Sequence, residues 1–240
     1  MWRRCVVWGA LWALSVPAWA GEGLLVAAGA GYRKPVLELL QAFTSATGIR
    51  AEASFGNMQQ IEVQARQNPD ISVLIGDQAF LEPMQLAPQF ERLGQGRLVL
   101  VAARAQPLQA LADLSQPQFQ RIAVPDRHKA VYGKAAFTCL ERAGLLPAVQ
   151  ARLLEVATVP QVGAYVRTGE VDAGFVNATE ALALQGRAGD QLALPDNCHD
   201  PIALSLGVIP GRGDAAAIQA LRAFIATPSA RQLLQRHGLQ

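Results

Sequence analysis

The chain has 240 residues, with 21 Lys and Arg, 19 Asp and Glu, three His and a formal net charge of +2. Residues 1–20 contain two of the basic residues, Arg3 and Arg4, and none of the acidic ones. Residues 21–240 therefore carry 19 basic and 19 acidic side chains and no net charge. This balance excludes the electrostatic footprint of a nucleic-acid or membrane-surface binder, and the length suffices for one large domain or two lobes.

Residues 1–20 have the pattern of a secretory signal peptide. A positive n-region precedes an apolar core over residues 6–16, and a small-x-small cleavage site ends at Ala20. The apolar core is too short to span a bilayer, although a retained anchor is the alternative. We expect the mature protein to begin at Gly21 and to work in the periplasm.

Strands and helices alternate through the first third of the mature chain. An apolar strand over 23–28 precedes a helix in which Val36, Leu40 and Phe43 recur at helical spacing. A strand over 49–55, a helix over 58–67 and a strand over 71–75 follow. This order predicts a parallel sheet with right-handed crossovers.

The same alternation begins again in the middle of the chain. Strands are predicted over 97–103, 121–124, 153–158, 171–176, 191–194 and 202–209. Helices are predicted over 130–143, between Pro160 and Gly169, and over 218–237 with an interruption near Pro228. The chain therefore contains two α/β units in succession.

Two α/β units predict an α/β fold of two lobes with mixed sheets, joined by a hinge of two strands. We expect lobe I to comprise residues 21–84 plus 205–240 and lobe II to comprise residues 85–204. The long strands at 97–103 and 202–209 are the candidates for the crossings between the lobes. In an exported protein, such a cleft closes on a ligand.

The mature chain resembles the molybdate-binding periplasmic proteins of ABC transporters along nearly all of its length. The matching runs are VAAGAG, AFTSATGIRAEASFGNM, DISVLIGD, AVPDRHKAVYGKAAF, RTGEVDAGFVNATEA and CHDPIALSLGVI. The resemblance implies the class II periplasmic binding protein fold and a small oxyanion held in the cleft by uncharged donors. It also implies an inner-membrane ABC permease as partner, a monomeric protein, and no cofactor or bound metal.

The resemblance places the ligand contacts near the starts of helices. The positions that match the family's contacts, with their immediate neighbours, are Ala30, Gly31, Asn57, Met58, Ala130, Val159 and Asn177. The backbone contacts keep counterparts, whereas two serine hydroxyls and one tyrosine hydroxyl of the family fall on Gly31, Asn57 and Asn177. Since a lost donor beside a buried charge costs about 1–3 kcal/mol, we expect an altered ligand preference.

Several of these residues also have a purely structural interpretation. Asn57 and Gln60 have the spacing of a capping box, which by itself explains the asparagine. Gly31 and its neighbours can serve a positive φ or tight packing instead of close approach to a ligand. Asn177 can act as a turn or cap residue, and Met58 as core filler.

Four other functions are alternatives to oxyanion capture: metal binding, capture of another small anion, presentation of a ligand to a membrane receptor, and catalysis. His128 and His199, with nearby acidic residues, allow a metal site, but no HxxH or CxxC spacing occurs. Another small anion, or presentation of a ligand to a membrane receptor, also fits the fold. No GxSxG, HExxH or P-loop motif is present, so the sequence does not predict an enzyme.

Cys139 and Cys198 are the only cysteines after residue 20. An even count in an oxidising compartment predicts a disulfide between them. The alternative is a buried free thiol at Cys139, which lies at helical spacing with apolar neighbours.

Overall fold

The computed structural model describes residues 23–104 and 106–240. The predicted signal peptide lies outside these residues. Within them the chain forms ten strands, in chain order β1 (Leu24–Gly29), β2 (Ala51–Gly56), β3 (Ile71–Asp77), β4 (Phe90–Gly96), β5 (Leu98–Ala102), β6 (Ile122–Pro125), β7 (Leu153–Val156), β8 (Ala173–Asn177), β9 (Gln191–Ala193) and β10 (Ile202–Val208).

The described residues also form nine α-helices. They are α1 (Arg33–Thr47), α2 (Met58–Gln67), α3 (Gln78–Leu81), α4 (Val131–Arg142), α5 (Leu146–Val149), α6 (Val159–Thr168), α7 (Ala178–Leu184), α8 (Ala215–Ile225) and α9 (Pro228–Arg236). None of the described helices has both the length and the apolar character needed to cross a membrane.

The strands form two mixed sheets of five, which confirms the predicted two-lobed α/β fold. The first sheet has the order β2-β1-β3-β10-β4, and the second has the order β7-β6-β8-β5-β9. In the first, β1 runs parallel to β2 and β3, while β10 is antiparallel to β3 and β4. In the second, β6 is parallel to β7 and β8, and β5 is antiparallel to β8.

Local sequence signals explain where the helices begin and end. Helix α1 buries Val36, Leu39, Leu40 and Phe43 on one face and ends at Gly48, whose φ of 74° suits glycine. Helix α2 begins with the predicted capping box. Helix α6 has proline in its first turn and ends at a glycine in the left-handed region, as predicted.

The chain crosses between the sheets twice. The first crossing lies at Arg97, between β4 and β5, and the second lies between β9 and β10. The sequence did not predict β4, because FERLGQG contains two glycines and little apolar alternation. Strand β4 pairs with β10 in the first sheet, which favours a crossing near residue 97 over the predicted lobe boundary after residue 84. The exact lobe boundaries stay a prediction.

Cys139 and Cys198 form a disulfide, as predicted. Their Cα atoms are 4.5 Å apart and 59 residues separate them in the chain. The bond joins α4 to the short 3₁₀ turn over Asp196–Cys198, which precedes β10. A helix of the second lobe is thereby tied to the segment that enters the first.

Candidate ligand-binding site

A small cavity lies between the lobes where three helices begin. Its volume is about 30 Å³, which is room for about two water molecules. The cavity is lined by Gly29, Ala30, Gly31, Tyr32, Gly56, Asn57, Met58, Ala130, Val131, Tyr132, Ala157, Thr158 and Val159. Helices α2, α4 and α6 all direct their first turns at this space.

Six of the seven residues predicted as ligand contacts line this cavity. They are Ala30, Gly31, Asn57, Met58, Ala130 and Val159. The seventh, Asn177, lies beside it, because its side-chain amide donates to the Gly31 carbonyl at 2.8 Å. Whether these residues contact a ligand stays a prediction, but the fold brings all seven to one place.

The described lining of the cavity contains no charged side chain. Its favourable potential for an anion comes from the positive ends of three helices, which are 10, 12 and 10 residues long. Val131 and Val159 open their helices, so their N–H groups have no intrahelical acceptor. The N–H of Ala130 itself donates to the Asp126 carbonyl at 3.1 Å, so the free donor of this loop belongs to Val131.

Asn57 is occupied mainly by its own helix. Its side-chain oxygen accepts from the Gln60 N–H at 2.9 Å, and its backbone N–H donates to the Gln60 side chain at 2.9 Å. The side-chain NH₂ is the part of Asn57 that is left for a ligand. Met58 is buried, and its N–H donates across the cleft to the Lys129 carbonyl at 2.8 Å.

Gly31 and Asn177 hold the two lobes close together. Asn177 is 1% exposed and caps α7, accepting from the Glu180 N–H at 2.9 Å while it donates to Gly31. A Cβ at Gly31 would lie 3.1 Å from the Asn177 amide nitrogen, and the φ of Gly31 is not positive. The glycine therefore permits close approach of the lobes and is not required by a left-handed turn.

Tyr32 and Tyr132 are cavity residues that the sequence did not single out. They come from different lobes, are 1% and 2% exposed, and share a hydrogen bond of 3.0 Å between their hydroxyls. Burial raises the pKa of both phenols, so both are protonated at neutral pH. The only feature of the sequence that could have pointed to them is their position: Tyr32 directly follows Gly31, and Tyr132 lies two residues after Ala130.

Asp77 is a buried carboxylate at the end of β3, close to the tyrosine pair. Burial raises its pKa to about 6, while backbone donors such as the Ala203 N–H lower it. The bond to Ala203, 3.1 Å long, joins β3 to the hinge strand β10. Above about pH 6 the carboxylate is ionised and is satisfied by the backbone around the hinge.

The described histidines do not form part of a cluster of metal-ligating side chains. Within residues 23–104 and 106–240, no three His, Cys, Asp or Glu side chains are arranged to hold a metal ion. Cys198 is bonded to Cys139, and His199 Nδ1 lies 2.6 Å from the Asp200 carbonyl oxygen. The metal alternative therefore has no cluster of described residues to support it.

Two α/β lobes that close around a small uncharged cavity define a protein that captures a ligand between its lobes. The chain belongs to the bacterial extracellular solute-binding proteins, whose family model matches residues 24–240. The prediction of a binding protein rather than an enzyme is thereby confirmed, as is the resemblance from which it was drawn.

Named relatives carry the same resemblance over almost the whole chain. The molybdate-binding protein ModA of Rhodobacter capsulatus is 24% identical over 231 residues, which is 94% of this chain and 90% of that protein. ModA of Azotobacter vinelandii is 26% identical over 234 residues, which is 94% of this chain and 92% of that protein. The solved structure of the periplasmic molybdate-binding protein of Azotobacter vinelandii has a TM-score of 0.82 at 21% identity, covering 90% of this chain and 98% of that one.

Proposed function

We propose that this protein captures a small tetrahedral oxyanion, of the molybdate and tungstate class, in the cavity between its lobes. The observation that carries the proposal is the convergence of three helix N-termini on a cavity whose described lining is uncharged. Helix starts bind anions through free N–H groups and the positive end of the helix dipole. Relatives named for molybdate binding support the same class of ligand.

The proposed contacts are the predicted residues with two refinements: Val131 replaces Ala130 as the backbone donor, and Met58 is a packing residue. The free N–H groups of Val131 and Val159 and the backbone at Ala30 and Gly31 are the main donors. The NH₂ group of Asn57 adds a side-chain donor. Asn177, from the second lobe, holds the Gly31 backbone in place through its bond to the Gly31 carbonyl. Met58 provides packing, since its N–H is already bonded to Lys129.

The place of action and the partner belong to the same proposal. A capture protein of this kind works in the periplasm as a monomer and passes its ligand to an inner-membrane ABC permease. A sensor that presents its ligand to a membrane receptor would need the same cavity, so a measurement of ligand binding does not distinguish transport from sensing. Their separation requires a test of uptake in a strain that lacks the gene.

A thermal-shift panel tests the proposed ligand class. Molybdate, tungstate, sulfate and phosphate are added separately, with divalent metals, small carboxylates and sodium chloride of equal ionic strength as controls. An oxyanion at about 100 times its Kd should add about 2.7 kcal/mol of stability, a shift of several degrees for a protein of this size. The proposal fails if every oxyanion leaves the melting temperature unchanged while a metal ion or an organic acid raises it.

A further inference from the structure

The first turn of α7 belongs to the second lobe but bonds to the first lobe through more side chains than Asn177. Thr179, which is 3% exposed, donates its hydroxyl proton to the His237 carbonyl at 2.8 Å. His237 directly follows α9, which packs against α1 and β4 of the first lobe. A buried hydroxyl of one lobe is therefore satisfied by a backbone acceptor of the other.

A salt bridge between the lobes accompanies this bond. Lys34 lies in the first turn of α1, where a cation opposes the helix dipole. Its Nζ is 3.6 Å from Glu180 Oε2 in the first turn of α7, where an acidic side chain suits the dipole. The carboxylate offsets the unfavourable position of Lys34 only while the two lobes are in contact.

The part of the first lobe that receives α7 is held in place by its own contacts. Glu38 in α1 accepts from Arg236 Nη2 at 3.3 Å, and its Oε2 lies 2.6 Å from His237 Nε2. Gly238 follows with a φ of 78°, and a Cβ there would lie 2.8 Å from the Ala178 Cβ. The glycine thus lets the end of α9 approach α7 closely while its neighbours are fixed to α1.

These contacts lie between the first crossing of the chain and the cavity. The Ala178 N–H donates to the Arg97 carbonyl at 3.0 Å, and Gly31, which accepts from Asn177, lines the cavity. A rotation of the lobes that opens the cavity moves α7 away from α1 and α9. The bonds of Thr179 and Glu180 to the first lobe are therefore bonds of the closed form.

We propose that the first turn of α7 is a latch for the closed form, and that Thr179 and Glu180 are positioning residues that slow the release of a captured ligand. The inference rests on the proposed function only for the identity of that ligand. Because the latch bonds are made within the protein, they favour closure before a ligand binds, and a bound ligand leaves only after they break. Neither side chain needs to touch the ligand.

The release of molybdate from latch variants measures the size of the effect. Protein loaded with radiolabelled molybdate is diluted into an excess of unlabelled molybdate, and the label that stays bound is followed by rapid filtration. Thr179→Val should release the label about 5- to 50-fold faster than the parent protein, because the buried His237 carbonyl loses its donor. Glu180→Lys should release it about 2- to 20-fold faster, since it places a second cation beside Lys34.

Matched variants separate the latch from general damage to the fold. Thr179→Ser keeps the hydroxyl, and Lys34→Glu/Glu180→Lys restores an ion pair with its charges exchanged, so both should release molybdate near the parent rate. Thr168→Val removes an exposed hydroxyl that bonds to carbonyls of its own helix, and it should leave release unchanged. Association should not become slower in any of these variants, because the ligand enters the open form.

X-ray scattering by ligand-free protein tests the latch without any ligand. Thr179→Val and Glu180→Lys should have a larger radius of gyration than the parent protein, and the exchanged-charge variant should return to the parent value. Equal radii, or equal release rates in protein that binds molybdate, would overturn the inference, and Glu180→Lys decides the matter even if Thr179→Val fails to fold. If no oxyanion binds the parent protein, the proposed function fails, while the scattering result still decides whether the latch exists.

Discussion

Loss of the Cys139–Cys198 disulfide should lower the free energy of unfolding by about 4 kcal/mol, as expected for a closed loop of this length. The bond spans 59 residues, so the unfolded chain gains much conformational freedom when it is absent. It also joins α4, whose first turn lines the cavity, to the segment that precedes the hinge strand β10. Urea unfolding of the oxidised protein and of the Cys139→Ala/Cys198→Ala variant measures the difference.

The variant also controls for the reductant. Dithiothreitol should lower the urea midpoint of the parent protein and leave that of the double variant unchanged. Two freely alkylated thiols in unreduced, denatured parent protein, or equal stability of parent and double variant, would contradict this account of the bond.

Asn177→Ala is expected to weaken oxyanion binding about 10- to 100-fold. The side chain bridges the lobes through its bond to the Gly31 carbonyl, 2.8 Å long, and a ligand that prefers the closed form loses affinity when that form is destabilised. The substitution also removes the cap of α7, which should cost about 1 kcal/mol of folding stability. Calorimetric titration and urea unfolding measure the two effects separately.

Asn177→Ser is the matched control for the cap. Serine is a good N-cap residue, but its shorter side chain carries no amide to reach Gly31. Its folding stability should therefore stay near that of the parent protein while its affinity falls as in Asn177→Ala. Parental affinity in the serine variant would show that the bond between the lobes does not support binding.

Local signals in the sequence were sufficient to predict most of the elements. The spacing of Asn57 and Gln60 predicted a capping box that the structure contains, and Pro160 and Gly169 marked the two ends of α6. Strand β4 was not predictable in this way, because its glycines and polar residues show no alternation. It is held as an edge strand by pairing with β10, whose residues come about 110 positions later in the chain.

The part of the candidate site that could be predicted consists of backbone positions at the starts of helices. The resemblance predicted the backbone positions around Gly31, Ala130 and Val159, and the fold brings them together. The tyrosine pair did not follow, since Tyr32 and Tyr132 are 100 residues apart in the chain and only the tertiary fold brings them together. Nor did the role of Asn177 as a bridge, which depends on a carbonyl 146 positions away.

Native mass spectrometry of the protein exported by its own host tests the central claim most directly. We expect the folded chain to carry one added oxyanion, with a mass in the range of molybdate, tungstate or sulfate, that is released on unfolding. Protein stripped by unfolding and refolding should regain a single adduct when molybdate or the anion first observed is supplied. A chain that carries a metal ion or an organic molecule instead, or that gains no adduct from an excess of any oxyanion, would contradict the claim that this cavity captures a small oxyanion.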